Sequence, residues 1–300
     1  MKKQVIILVG PPGSGKSTLA KKYEKNNFIR ISQDDQGKDG HFKLFIQSLI
    51  NGQNIVIDRM NFDKKQRQKY ISEVKNINTQ YGNEYKYSIE IHVLHEASSI
   101  CMQRMLLREN HPTIKTVENA KSALHTFMRK YERPTEDESD SIAFHYPERE
   151  KPTVIICDLD GTLCNIEHRR HYVRRENGKK DWRGFFSKMD LDKVNIWCRN
   201  ILNSMYFSGY GIIYCTGRGE EYRGITTNWL RENQTDYYKS ELFMRQEKDS
   251  RADWLIKQNI LDFEILTQYT PLFAIDDRQQ VVDMWRKRGL VCLQCDVGDF

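Results

Sequence analysis

Val5-Ile6-Ile7-Leu8-Val9 runs directly into Gly10-Pro11-Pro12-Gly13-Ser14-Gly15-Lys16-Ser17. The first five residues are apolar and mostly β-branched, so they read as a buried strand; the glycine-rich stretch reads as a turn that opens a helix. The octet matches G-x-x-x-x-G-K-[ST] in full, in the strand–turn–helix context that the motif requires. Glycines let backbone N–H groups converge on phosphate oxygens, and the helix N-terminus adds partial positive charge. Gly10, Gly13, Ser14, Gly15, Lys16, Ser17 and Thr18 are therefore candidates for holding the phosphates of ATP or another nucleoside triphosphate. Lys16 would reach the β- and γ-phosphates, and the Ser17 hydroxyl would sit on Mg²⁺.

Outward from this stretch, strand and helix signals alternate. Residues 54–57 and 89–94 read as further buried strands, and 63–78, 98–108 and 117–131 as helices. In the last of these, Val117, Ala120, Leu124, Phe127, Met128 and Tyr131 keep one face apolar at helical spacing. Residues 132–152 contain Pro134, Pro147, Pro152 and the acidic run Glu136-Asp137-Glu138, and read as an interdomain linker. The alternation then restarts, with strands expected at 153–157, 211–215, 272–275 and 290–293. The expected fold is α/β in two domains: a phosphate-binding parallel-sheet domain at 1–133, a linker at 134–152, and a second Rossmann-like domain at 153–300 with a small cap insert.

Composition fits two soluble domains. The chain has 300 residues, 39% hydrophobic and 29% charged, with a formal net charge of +6. That charge allows a polyanionic partner without requiring one. No apolar run approaches the roughly 18 residues that span a bilayer, so no membrane association is expected and the chain reads as cytosolic. Seven cysteines are scattered; Cys292 and Cys295 form a single C-x-x-C without the second pair that zinc needs, and read as core residues.

Two further features accompany the phosphate cradle. Asp34, in Ile31-Ser32-Gln33-Asp34-Asp35, falls where a second strand should end, placed to take the proton of an attacking hydroxyl. Asp58 ends the next strand, either to hold Mg²⁺ through water or to position the acceptor. Arg104 and Arg108 lie four apart on one expected helix, so they share a face and could close over a transferring phosphate.

A second site starts at Val154-Ile155-Ile156-Cys157-Asp158-Leu159-Asp160-Gly161-Thr162-Leu163. Strand followed by D-x-D-G-T resembles the signature of the haloacid dehalogenase-type phosphatases. The resemblance implies that Asp158 attacks phosphorus and forms an aspartyl-phosphate, with Asp160 as general acid and then base. An acid near neutral pH needs a raised pKa, so Asp160 is expected in an environment that raises it. Thr216, Gly217 and Arg218 end a later strand where phosphate can bind, Lys257 can neutralise the nucleophile, and Asp276 and Asp277 suit Mg²⁺ together with Asp158 and Asp160. Between them lies a basic insert, His168-Arg169-Arg170-His171 to Lys179-Lys180, interleaved with Trp182, Phe185 and Phe186; it suits a nucleic-acid end or a solvated cap.

The order of the two motif sets resembles the phage-type polynucleotide 5′-kinase/3′-phosphatase family over essentially the whole chain, including the Gly298-Asp299-Phe300 tail. The resemblance implies an enzyme that phosphorylates 5′-OH ends of RNA or DNA and removes 3′-phosphate, with 2′,3′-cyclic phosphate as an open addition. It implies ATP and Mg²⁺ as cofactors, cooperation with a polynucleotide ligase, a homo-oligomer, and host cytoplasm if the gene belongs to a phage. Its kinase base matches Asp34, its third-strand aspartate Asp58, and its lid arginines Arg104 and Arg108. On the phosphatase side it adds Arg169 and Asp253 to Asp158, Asp160, Thr216, Arg218, Lys257, Asp276 and Asp277. One stretch departs from the pattern: where the family carries an arginine for the acceptor's phosphate, this chain reads Gln36-Gly37-Lys38. Lys38 is the cation available there, and lysine lacks the bidentate geometry. A small-molecule or nucleoside kinase fused to a nucleotidase would use the same motifs. A non-catalytic RNA-binding protein is the third reading, and intact Lys16, Asp158, Asp160 and Lys257 argue against it.

Overall fold

The computed structural model describes residues 2–81, 84, 86–107, 116–174, 180–234 and 237–298. The chain divides into two compact units, Met1–Glu148 and Arg149–Phe300.

In the first unit the elements follow in order: β1 (Lys2–Val9), α1 (Lys16–Glu24), β2 (Phe28–Ser32), α2 (Gln33–Ile50), β3 (Asn54–Asp58), α3 (Lys64–Tyr81), β4 (Lys86–Leu94), α4 (Ser98–Leu106), α5 (Val117–Lys130) and β5 (Ser141–His145). The strands form one parallel sheet in the order β2-β3-β1-β4-β5. Helices cover both faces of such a sheet, so its central strand must be apolar on both sides. Val5, Ile7, Leu8 and Val9 are accordingly fully buried. Ser32 caps α2 by accepting from the Asp35 N–H, and Thr116 caps α5 by accepting from the Asn119 N–H. Helix α2 leaves helical geometry at Gly37, where φ is +76°. L side chains rarely adopt that conformation, so an arginine at Gly37 would be strained.

The boundary between the units falls inside the expected linker at 134–152, but residues 135–145 of that stretch belong to the first unit. Residues 136–138 form a 3₁₀ turn closed by a capping box between Thr135 and Glu138. The Glu138 carboxylate is buried and takes two hydrogen bonds, of 2.8 and 2.9 Å, from the equally buried Arg67 of α3. Asp140 accepts from the Ile89 N–H at 2.7 Å, and β5 then pairs with β4 as the fifth strand. The acidic run anchors the sheet edge to α3.

The second unit repeats the plan: β6 (Thr153–Cys157), β7 (Cys164–Asn165), α6 (Glu167–Arg170), α7 (Trp182–Phe186), β8 (Lys193–Val194), α8 (Ile196–Phe207), β9 (Gly211–Gly219), α9 (Arg223–Asn233), β10 (Glu241–Arg245), α10 (Asp253–Ile260), β11 (Thr270–Asp276), α11 (Gln279–Lys287) and β12 (Val291–Gln294). Its parallel sheet has the order β10-β9-β6-β11-β12, and β7 and β8 form a small antiparallel ribbon. Ile155, Cys157, Ile212, Tyr214 and Ile275 pack one face of the sheet, and Val154, Ile156, Ile213, Val282 and Trp285 the other. Cys292 joins the second cluster; burial pushes its thiol up to about 12, so it is an inert core residue. Among the described residues, no helix is long and apolar enough to cross a membrane.

Two candidate phosphoryl-transfer sites

The turn after β1 places the first site at the carboxyl ends of the parallel strands. Gly13 and Gly15 take φ of +86° and +97°. A Cβ on Gly13 would lie 2.5 Å from the Cys101 carbonyl oxygen, and one on Gly10 2.7 Å from that of Leu94. Only glycines let the loop press against the end of β4 and the side of α4. Lys16 is buried, with its Nζ donating to the Pro11 carbonyl at 2.7 Å, inside the curve of its own loop. Arg104 reaches the loop from α4: it donates to the Gly13 carbonyl at 3.3 Å and pairs with Glu96 at 2.9 Å. Gly13, Ser14, Gly15, Thr18 and Arg104 line a cavity of about 410 Å³, and Ser17 stands half-buried at the start of α1. Arg108 lies outside the described residues.

The ends of β2 and β3, where an acceptor was expected, are tied together by a residue that the motifs did not reveal. Arg30 of β2 donates twice to Asp58, at 2.9 and 2.6 Å, and once to Asp35, at 2.8 Å. Asp58 is thus buried and ion-paired, whereas Asp34 in the first turn of α2 is exposed and outside this pair. Lys38 is exposed beyond the break at Gly37. The available signal for Arg30 was a cation flanked by Ile29 and Ile31 in a short strand, on the edge next to the strand that ends in Asp58.

In the second unit, the loops after β6 and β11 and the helix α10 converge. The fully buried Lys257 Nζ lies 2.7 Å from Asp158 Oδ1, 2.9 Å from Asp276 Oδ2 and 3.6 Å from Asp253 Oδ2. Burial works against the Lys257 charge, but Asp158, Asp276 and Asp253 outweigh it and hold the ammonium well above its ordinary range. Burial and the neighbouring Asp276 push Asp277 up to about 7; burial also pushes Asp158 well up, against the pull of Lys257.

Asp158, Asp276 and Asp277 each offer a carboxylate oxygen within 4.8 Å of the others. Asp277 Oδ2 is buried with no hydrogen-bond partner. Crowded carboxylates and an orphaned oxygen fit a hard divalent cation. Gly161 is required beside them: its φ is +90°, and a Cβ there would stand 2.3 Å from Asp277 Oδ2. A Cβ on Gly217 would likewise meet Asp253 Oδ1 at 2.3 Å. Thr216 is fully buried, and its hydroxyl accepts from the Arg218 N–H at 3.2 Å.

Residues 152–300 match the profile of the polynucleotide kinase PNKP phosphatase domain. The C-terminal unit is a domain of that family. Residues 5–39 match an AAA domain profile, which covers the phosphate cradle. A bifunctional polynucleotide kinase/RNA ligase, by name, of Autographa californica nuclear polyhedrosis virus is 24% identical over 95% of this chain. The Arabidopsis thaliana protein named transcription factor bHLH140 is 32% identical over 48% of it. The chain spans 41% of the viral relative's length and 16% of the plant one's. A chain in the solved Pnkp1/Rnl/Hen1 RNA repair complex aligns over 99% of this chain and 97% of its own, at 27% identity and a TM-score of 0.43.

Within the polynucleotide kinase phosphatase domain one expectation reverses. Asp160 was expected in surroundings that raise its pKa. Burial does act in that direction, but the charges and hydrogen bonds of Arg218 and Arg169 outweigh it and hold the carboxyl well below its usual range. Arg218 donates to Asp160 at 2.6 Å, Arg169 bonds the same oxygen, and both arginines bond Asp192, at 3.0 and 2.6 Å. Asp160 therefore faces this buried four-residue network, and its carboxylate is not part of the Asp158-Asp276-Asp277 group. Asp192 was missed; it sits alone after the insert, without a motif around it.

Proposed function

We propose that the chain heals nucleic-acid ends: its first unit transfers the γ-phosphate of ATP to a 5′-OH, and its second removes a 3′-phosphate. The observation that carries the proposal is the convergence of Asp158, Lys257, Asp276 and Asp277 in a domain of the polynucleotide kinase phosphatase family, preceded by a complete phosphate cradle. That family match favours a polynucleotide over a small-molecule substrate.

In the kinase unit, Lys16 and the loop amides hold the donor's β- and γ-phosphates. Asp34 takes the proton of the 5′-hydroxyl as its oxygen bonds to phosphorus and the bond to the β-phosphate oxygen breaks. Arg104 closes over the transferring group, the role that the family resemblance also gives to Arg108; Asp58, fixed by Arg30, positions the acceptor.

In the phosphatase unit, Asp158 attacks phosphorus while the bond to the 3′-oxygen breaks and Asp160 gives that oxygen a proton. Water, deprotonated by Asp160, then cleaves the aspartyl-phosphate and returns Asp158. For this role Asp160 must turn away from Arg218 and Arg169. Lys257, Thr216 and the Gly217 N–H hold the phosphoryl oxygens, with Arg218, Arg169 and Asp253 shaping the pocket. Mg²⁺, held by Asp158, Asp276 and Asp277, would supply charge neutralisation. The viral relative's name joins a kinase to an RNA ligase, which supports RNA ends as substrate and a ligase as the next enzyme.

The test is transfer of labelled γ-phosphate to 5′-OH RNA, 5′-OH DNA and a nucleoside in parallel, with phosphate release from 3′-phosphorylated strands. Strands are expected to outcompete the nucleoside at least tenfold. Equal use of the nucleoside would favour the small-molecule reading.

A further inference from the structure

The insert between β7 and β8 carries an aromatic surface that the phosphatase chemistry leaves unused. It begins at the site itself. Arg169 bonds Asp160, and its guanidinium lies 4.0 Å from the centre of the Phe185 ring. Phe185 is 1% exposed and packs α7 onto the core. Trp182, one turn earlier, is 40% exposed. Its ring stacks on Phe186 at 5.9 Å between centres and 21° between planes. The half-buried Tyr222 extends the stack, 5.0 Å from Phe186 at 32°. Lys180 stands 5.5 Å from the centre of the Trp182 ring. The ladder thus joins α7 to the segment just past β9, the strand that carries Thr216 and Arg218.

We propose that Trp182, Phe186 and Tyr222 form the subsite that stacks the base of the nucleotide carrying the 3′-phosphate. The inference rests on the phosphatase reading above and adds how that site selects a strand end. Phe185 and the partly buried Phe186 pack α7 onto the core, and Trp182 and Tyr222 carry the ring ladder outward from them to the surface. Stacked aromatic rings with a cation beside them take any nucleobase by its flat face and meet the backbone with positive charge. Asp160 is the group assigned to the departing 3′-oxygen. Arg169 packs on Phe185 and Tyr222 follows the strand that carries Thr216 and Arg218, so the ladder borders the site on the side of the insert, where we place the nucleoside.

The test compares kcat/KM for two 3′-phosphorylated oligonucleotides that differ only in whether the last residue carries a base or is abasic. Wild type is expected to prefer the base-bearing end about tenfold, mainly through KM. Trp182→Ala should bring the ratio near one, and Trp182→Phe should restore most of it. The ratio is internal to each protein, so a partly misfolded variant does not imitate the effect. Equal use of both ends by wild type, or a Trp182→Ala protein that keeps the preference, overturns the subsite while leaving the phosphatase intact. A wild type that hydrolyses neither end overturns both.

Discussion

The Lys257 ammonium lies 2.7 Å from the Asp158 carboxylate, 99 residues away in the chain, and both groups are buried. The same ammonium bonds Asp276, so one cation ties the end of β6 at Asp158 to the end of β11 at Asp276. Removing one partner of a buried pair leaves an uncompensated charge, which costs about 3–5 kcal/mol. Lys257→Ala is therefore expected to lose phosphatase activity and to lower the unfolding free energy of the second unit by about that much. Urea titration gives the second quantity. A variant as stable as wild type would mean that the pair does not hold the site together.

The orphaned Asp277 oxygen leads to a pH and metal prediction. The Asp277 carboxyl, pushed up to about 7, binds its proton more tightly folded than unfolded, where carboxylates titrate near 4. Its contribution to stability is present below the unfolded value and is lost as pH rises through about 7. Metal-free protein should therefore lose thermal stability between about pH 4 and pH 7, and Mg²⁺ should restore it at the upper end. Asp277→Asn should flatten both responses. A Tm for the Asn variant that still climbs with Mg²⁺ as in wild type would place the cation elsewhere.

The first unit should need residues 134–148. A fragment ending at residue 133 lacks β5 and leaves Arg67 buried without Glu138, whereas one ending at Glu148 keeps both. Circular dichroism and thermal melting are expected to show a cooperative unit for the longer fragment only. Glu138→Gln in the full chain should cost about 3 kcal/mol for the same reason.

The two neighbouring aspartates should separate. Asp34→Asn is expected to lower 5′ phosphorylation by at least a hundredfold while ATP still binds. Asp35→Asn, which removes a half-exposed pair with Arg30, should cost under about 1 kcal/mol of stability and little activity. The reverse pattern in a kinase assay would make Asp35 the base.

What the sequence made legible was contiguous. Gly10–Ser17 and Asp158–Thr162 carry their chemistry in adjacent positions, because a turn between a strand and a helix is a local structure. Pairings between distant residues were not legible. Arg30 with Asp58, Arg67 with Glu138, and Arg169 with Asp192 are each made by the fold, and no local pattern announces them. The linker reading missed residues 135–145 for a related reason: β5 lies at the sheet edge, half-buried, and its apolar run, Ile142-Ala143-Phe144, is only three residues long. The Asp160 expectation failed because its ionisation depends on Arg169 from the insert and Arg218 from β9, which the D-x-D motif does not include.

The central claim is two independent phosphoryl-transfer sites in one chain. Its most direct measurement uses one RNA strand with a 5′-OH and a 3′-phosphate, following 5′ label incorporation and 3′ phosphate release together in wild type, Lys16→Ala and Asp158→Asn. Wild type should perform both reactions, Lys16→Ala only the 3′ release, and Asp158→Asn only the 5′ transfer. A folded single variant that silences both reactions would contradict two sites and require one shared site.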